Sequence, residues 1–186
     1  VDTGIQHGTV TVLIDRTGYE VTTYRIDGIY EDGRHPRQVE FTSDLLEDLR
    51  RRDFTINAMA YSHDKGIVDA FDGMGDLKRK VIRCVGNPME RFSEDALRIL
   101  RAIRFSAQLD FPIEKETWEA IGQIAPNIAK VSRERIQVEL TKLLLSDHPE
   151  RMMDVFETGI SSYIFGESYQ LLRGKPDVPE NISRLL

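Results

Sequence analysis

Within the stretch SEDALRILRAIRF (residues 93–105), Asp95, Arg98 and Arg101 recur at three-residue spacing. At about 100° per residue in a helix, the apolar Ala96, Ile99, Leu100, Ile103 and Ala107 share one arc that faces a core. Asp95, Arg98 and Arg101 share the opposite arc, with Arg104 at its flank. The polar arc is not needed to hold the helix down, and is open to water or to a ligand. A carboxylate that only accepts, beside a guanidinium that only donates, suits a planar edge carrying a donor next to an acceptor. Adenine and cytosine present that edge as an exocyclic amine beside a ring nitrogen; guanine and uracil invert it. Asp95 with Arg98 would therefore favour A and C, while Arg101 and Arg104 meet phosphate oxygens or steer the pair. The competing reading is an ordinary surface ion pair near a helix N-terminus, contributing about 0.2–0.5 kcal/mol.

A second stretch, RRRDFTINAMAY (residues 50–61), sets three arginines immediately before an expected helix N-terminus, where unpaired amides already attract anions. Arg51 and Arg52 are candidate phosphate binders. Asp53 either caps that helix or accepts from a ribose hydroxyl, and Asn57, one turn on, assists. The surroundings are basic: between Lys78 and Arg104 there are eight Lys or Arg against three Asp or Glu, in a chain whose net charge is −6. The total argues against a protein that coats nucleic acid non-specifically, whereas the local surplus suits either a docked polyanion or a solvated face.

The elements that must position these groups fall into two halves. HGTVTVLID and GYEVTTYRI alternate like strands and flank the turn residues Asp15–Gly18, which predicts a hairpin with Glu20, Thr22 and Tyr24 on one face. The polar DGIYEDGRHPRQVEFTS reads as a loop, a helix starts near Asp44, DFTINAMAYS reads as a helix capped by Asp53, and GIVDAFDGMGDLKRKVIRCVG reads as strand, glycine-rich connection, strand. From Pro88 on, amphipathic helices follow at about 93–108, 114–129, 132–145, 149–158 and after Ser161, with Ser132 as an N-cap, Pro149 in a first turn and Gly159 as a stop. The expected fold is thus an α/β portion followed by an all-α portion. Of 186 residues 40% are hydrophobic and 30% charged, ordinary for a soluble globular protein. The single cysteine, Cys84, excludes an internal disulfide, no apolar run is long enough to span a bilayer, and a reducing, cytoplasmic setting is expected. The four histidines lack metal-ligand spacing, and Trp118, Met152 and Met153 read as packing residues.

Taken together, these residues resemble the bacterial tRNA nucleotidyltransferases of the CCA-adding type and the related poly(A) polymerases. HGTVTVLI…YEVTTYRIDGIYEDGRHPRQVEF is similar to that family's strands and flexible loop. EDLRRRDFTINAMA resembles its ribose-recognition motif, DAFDGMGDLKRKVIRCVGNPMERFSEDALRILRAIRF its hinge and nucleobase-template segment, and SRERIQVELTKLL its neck helix motif; the similarity runs from Gly4 to about Gly159. The resemblance implies residues 1–86 as the second part of a nucleotidyltransferase head with an incomplete mixed sheet, 87–145 as a helical neck and 146–186 as the start of a helical body. It implies addition of C and A to the tRNA 3′ end from CTP and ATP with release of pyrophosphate. Asp95 and Arg98 would pair with the base, Arg101 and Arg104 would support the nucleotide, and Arg52, Arg51 and Asp53 would hold phosphate or ribose. In the family, magnesium is bound by an Asp-x-Asp pair after a glycine-rich turn, which stands upstream of the segment matching Val1. This chain has no Asp-x-Asp spacing, so the expectation is that it is inactive alone, with Glu20 a third carboxylate near the metals. Poly(A) polymerases and enzymes adding only CC or only A share these motifs, and a non-catalytic RNA-binding helical module is the reading from another class.

Overall fold

The computed structural model describes residues 8–27 and 39–166. The middle of the polar stretch read as a loop and the last twenty residues lie outside the described ones. The first half holds strands β1 (Thr9–Ile14), β2 (Thr17–Thr22), β3 (Arg25–Asp27) and β4 (Val39–Phe41), helix α1 (Leu45–Arg50), a 3-10 turn (Thr55–Asn57), strands β5 (Met59–Ser62) and β6 (Gly66–Asp69), and helix α2 (Gly73–Arg79). Helices α3 (Pro88–Glu94), α4 (Leu97–Leu109), α5 (Lys115–Ile124), α6 (Arg133–Leu144), α7 (Met152–Glu157) and α8 (Ile160–Phe165) follow, with 3-10 segments at Ala125–Lys130 and Pro149–Arg151. An α/β first half and a helical second half are what the sequence led us to expect.

Among the described residues the strands pair as three antiparallel ribbons, β1–β2, β3–β4 and β5–β6. The β1–β2 turn uses positive φ at Asp15 (49°) and Arg16 (65°), which matches the right-handed twist of the flanking strands. Asp44 caps α1 by accepting from the Leu46 amide at 2.8 Å, as expected of a helix starting there.

Three local expectations are corrected. Residues 53–62 form a single 3-10 turn and then β5, not a helix, because Met59–Ser62 find ladder partners in Gly66–Asp69 and tertiary pairing overrides propensity. The glycine-rich connection contains α2, started by Asp69, whose carboxylate accepts from the Gly73 and Met74 amides at 2.8 Å each. A Cβ at Gly73 would lie 2.3 Å from the Thr55 carbonyl oxygen, so glycine here permits α2 to close on the 3-10 turn. Finally, the expected helix 93–108 is broken at Asp95, as the site geometry makes clear.

The apolar arc of α4 is the centre of the core: Ile99, Leu100, Ile103 and Ala107 are fully buried, together with Phe54, Ile82, Phe92, Ile121 and Ile128 from both halves. Residues 82–85 join the halves. The Val85 amide donates to the Asp53 carbonyl at 3.0 Å and the Thr55 amide to the Arg83 carbonyl at 3.0 Å, while the Ile82 amide donates to Pro112 and the Glu114 amide to Ile82, both at 2.9 Å. Phe54 meets Phe105 of α4 edge-on with centroids 5.7 Å apart. Asp76 fastens α2 from inside, accepting from Thr55 Oγ1 at 2.6 Å, Arg79 at 2.6 Å and Arg83 at 2.8 Å.

Three outcomes follow from this packing. Ile103→Ala leaves a cavity in the α4 core and lowers unfolding free energy by about 2–5 kcal/mol, read by urea denaturation. Burial pushes the Cys84 thiol up to about 12, so the native chain at pH 8 does not react with a thiol reagent that labels the unfolded chain rapidly. At Asp69 and Asp76 burial raises the carboxyl, but amide hydrogen bonds at the first, and Thr55, Arg79 and Arg83 at the second, outweigh it and hold both below the ordinary value. Their contribution to stability is present above about pH 4 and is lost on acidification through the lower folded values, so the urea midpoint falls between pH 6 and pH 3.

Candidate functional site

Helix α3 begins with Asn87, whose Oδ1 accepts from the Met89 amide at 2.9 Å, and with Pro88 in its first turn. It ends at Glu94 because Asp95 is extended (φ −140°, ψ 101°). The Asp95 carboxylate accepts from the Leu97 amide at 3.1 Å and so starts α4. A short acidic side chain that competes for nearby amides favours such a break over helix continuation. The Arg98 amide still donates to the Asp95 carbonyl at 3.0 Å, so the two side chains remain neighbours across a turn.

The polar arc is not open to water in the way the helical projection suggested. Arg98 is only 8% exposed. Its Nη1 donates to the Arg91 carbonyl at 2.8 Å and to Glu94 Oε2 at 2.9 Å, and its Nη2 to the Arg51 carbonyl at 3.0 Å. Asp95 Oδ2 accepts from Arg135 Nη2 at 2.7 Å. Arg101 directs Nε and Nη2 at Asp53 Oδ2, at 2.8 and 2.5 Å. Asp53 Oδ1 accepts from the Phe54 amide at 2.9 Å and from Asn57 Nδ2 at 3.2 Å. Asp53 therefore does not cap a helix; it ties the 3-10 turn to α4.

These groups surround a cleft of about 460 Å³. Of the residues singled out in the sequence, Arg51, Arg52, Asp53, Asn57, Asp95, Arg98 and Arg101 line it, joined by Leu97 and Arg135. Five arginines and two aspartates line it; each Asp95 oxygen accepts one hydrogen bond and keeps a second lone pair, whereas both Asp53 oxygens already accept two. Two candidates stand elsewhere. Arg104 is buried, donating to Glu139 Oε2 and Gln108 Oε1 at 2.5 Å each, with its guanidinium carbon 3.8 Å from the Phe105 ring centroid. It braces α4 against α6 and does not line the cleft, because the slow rotation of residues around the helix carries position 104 to the buried side. Glu20 lies on the exposed β2, opposite Thr11, and is not part of the cleft.

Three participants escaped the sequence reading. Arg135 and Glu139, one turn apart on α6, hold Asp95 and the pair Arg101–Arg104. Asp48, only 3% exposed, accepts from Arg51 and Arg52. Its position three and four residues before those arginines was the available signal. Burial pushes the Asp48 carboxyl up, but hydrogen bonds from Arg51, the Arg25 amide and Arg52, with the charge of Arg51, outweigh it and hold the group below the usual carboxylate value.

Among the described residues no cluster of three or more His, Cys, Asp or Glu side chains could hold a metal ion. The two aspartates of the cleft are committed to arginines, so its donor set does not fit a magnesium pair, which the resemblance places upstream of the segment matching Val1. No helix among them is long and apolar enough to cross a membrane.

Residues 1–83 match the family described as the poly A polymerase head domain, and residues 110–171 the one described as the probable RNA and SrmB-binding site of polymerase A. A CCA-adding enzyme of Leuconostoc mesenteroides subsp. mesenteroides is 54% identical over 155 residues, 83% of this chain and 39% of that protein. The crystal structure of the Bacillus stearothermophilus CCA-adding enzyme in complex with CTP is similar with a TM-score of 0.82 at 41% identity, over 89% of this chain and 40% of that one. A tRNA nucleotidyltransferase complexed with a primer tRNA and an incoming ATP analog gives a TM-score of 0.71 at 31% identity, over 87% and 45% of the two chains. This chain thus spans about two fifths of the length of the curated relatives it matches.

Removing Glu139 leaves the buried Arg104 without its carboxylate, while Arg101 keeps Asp53. Glu139→Ala is expected to cost about 3–5 kcal/mol, seen as a lowered urea midpoint, whereas Glu20→Ala on the exposed ribbon stays within about 0.5 kcal/mol.

Proposed function

The chain belongs to the family of tRNA nucleotidyltransferases and poly(A) polymerases, and on that premise we propose that it serves the template-independent addition of C and A to tRNA 3′ ends from CTP and ATP. The tRNA 3′-hydroxyl attacks the α-phosphorus, the bond to the bridging oxygen breaks, and pyrophosphate leaves. The cleft supplies selection and orientation. Asp95 accepts the exocyclic amine of cytosine or adenine, and Arg98 donates to the neighbouring ring acceptor. Arg101, Arg51 and Arg52 face the triphosphate, and Asn57 with Asp53 meets the ribose, whose hydroxyl takes the place of one of the donors that Asp53 now accepts.

The observation that carries this reading is the fixing of the base-reading pair from behind. The Arg91 and Arg51 carbonyls and Glu94 hold Arg98, and Arg135 with the Leu97 amide holds Asp95. A template made of side chains must keep its acceptor and its donor in a fixed order, since exchanging their places would suit the inverted edge of guanine and uracil. The relatives named above, crystallised with CTP or with an ATP analog and primer tRNA, support the same substrates.

The test is incorporation by the full-length enzyme on a tRNA ending at its discriminator base. CTP alone is expected to extend it by C, and CTP with ATP to complete CCA; a long adenylate tail from ATP alone would instead identify a poly(A) polymerase. Asp95→Ala and Arg98→Ala each lower kcat/KM for CTP about 10- to 100-fold, the equivalent of one lost bidentate contact, while use of GTP and UTP stays flat. An unchanged preference among the four triphosphates in the double variant refutes the base-reading role.

A further inference from the structure

Asp48 lies behind the cleft wall and not in it, yet its bonds reach three separate parts of the site. Oδ1 accepts from Arg51 Nε at 3.0 Å and Nη2 at 2.6 Å, and also from the backbone amide of Arg25 in β3 at 3.2 Å. Oδ2 accepts from Arg52 Nη2 at 3.2 Å. The carbonyl of Arg51, the residue whose side chain is so held, in turn accepts from Arg98 Nη2 at 3.0 Å. One buried carboxylate thus fixes two arginines of the cleft, ties them to β3, and lies one residue removed from the base reader.

The need for such a group is physical. Arg51 and Arg52 are adjacent cations that enter a cleft already holding three other guanidiniums, and without a counter-charge their mutual repulsion swings them apart into solvent. A buried carboxylate with four donors stays ionised, because those donors outweigh the cost of its burial. Its two oxygens take both arginines, and both side chains line the cleft.

We propose that Asp48 is a positioning residue for triphosphate binding, holding Arg51 and Arg52 at the spacing that grips the nucleotide's phosphates. The proposal rests on the nucleotide-binding reading above. It assigns Asp48 no contact with substrate: it acts only through the two arginines. Because the triphosphate is common to all nucleotides, Asp48 sets how tightly CTP and ATP bind and leaves the choice between bases to Asp95 and Arg98.

The experiment compares full-length wild type with Asp48→Asn, which keeps the shape and an acceptor for the Arg25 amide but removes the charge. Calorimetric Kd values for CTP and ATP, the Kd for tRNA, and kcat for incorporation are measured together. The expected result is a roughly 10-fold weaker Kd for both nucleotides by the same factor, with kcat within about threefold and tRNA affinity unchanged. A merely structural role would move tRNA affinity and kcat alike, and that outcome overturns the proposal, as does an unchanged nucleotide Kd. Should Asp48→Asn fail to fold, Arg52→Ala decides: its side chain is 45% exposed, and it leaves Arg51 on the buried carboxylate. It is expected to weaken both nucleotides equally, and an unchanged Kd for CTP and ATP overturns the proposal. Wild type that binds CTP but adds nothing refutes the proposed activity while the binding comparison still decides the role of Asp48. Wild type that binds no CTP overturns both.

Discussion

Five guanidiniums crowd one cleft, and like charges at such range repel one another unless each is answered. The fold answers them from behind. Asp48 serves Arg51 and Arg52, Glu94 serves Arg98, Asp53 serves Arg101, and Asp95 meets Arg135. This is why an acidic chain can own a cationic site: much of the negative charge near the cleft is the scaffolding of its positive face. The arrangement also limits mobility. A guanidinium with two or three protein acceptors loses rotamer freedom on folding and not on binding, so the ordering cost is met before a ligand arrives.

Periodicity exposed much of this and concealed a definite part. The apolar arc of Ala96, Ile99, Leu100, Ile103 and Ala107 is buried as the projection required, because a stripe at helical spacing admits few other fates. The β1–β2 hairpin and the Asp44 cap were legible for the same reason: their causes are local. Asp95 was harder. Projected on an unbroken helix it stood one turn from Arg98, whereas its own carboxylate caps α4 and ends α3, a competition between side chain and backbone that periodicity does not register. DFTINAMAYS has the composition of a helix and becomes a turn and a strand through pairing with Gly66–Asp69, a partner outside its own window.

The site shows the same division between local and distant causes. Seven of the singled-out residues converge on the cleft because they lie in two compact stretches around positions 51–57 and 95–101. What the sequence did not disclose was which of their side chains would be answered, since the answering groups Arg135 and Glu139 come from a helix some forty residues on. Arg104 looked equivalent to Arg101, three residues earlier, and differs from it by facing Glu139 and the Phe105 ring at the buried side of α4.

The short segment at residues 82–85 is hydrogen-bonded on one side to Asp53 and Thr55 and on the other to Pro112 and Glu114, and Phe54, Ile82 and Cys84 share a core with α4 and α5. The part that carries Arg51, Arg52 and Asp53 and the part that carries Asp95, Arg98 and Arg101 are therefore one solid. A chimera of two relatives that exchanges sequence at residue 86 would cut through shared packing and mismatch two halves of a single interior. Change in the character of the cleft is thereby steered toward single side chains on a common frame, because exchange of whole pieces at that boundary disrupts the interior they share.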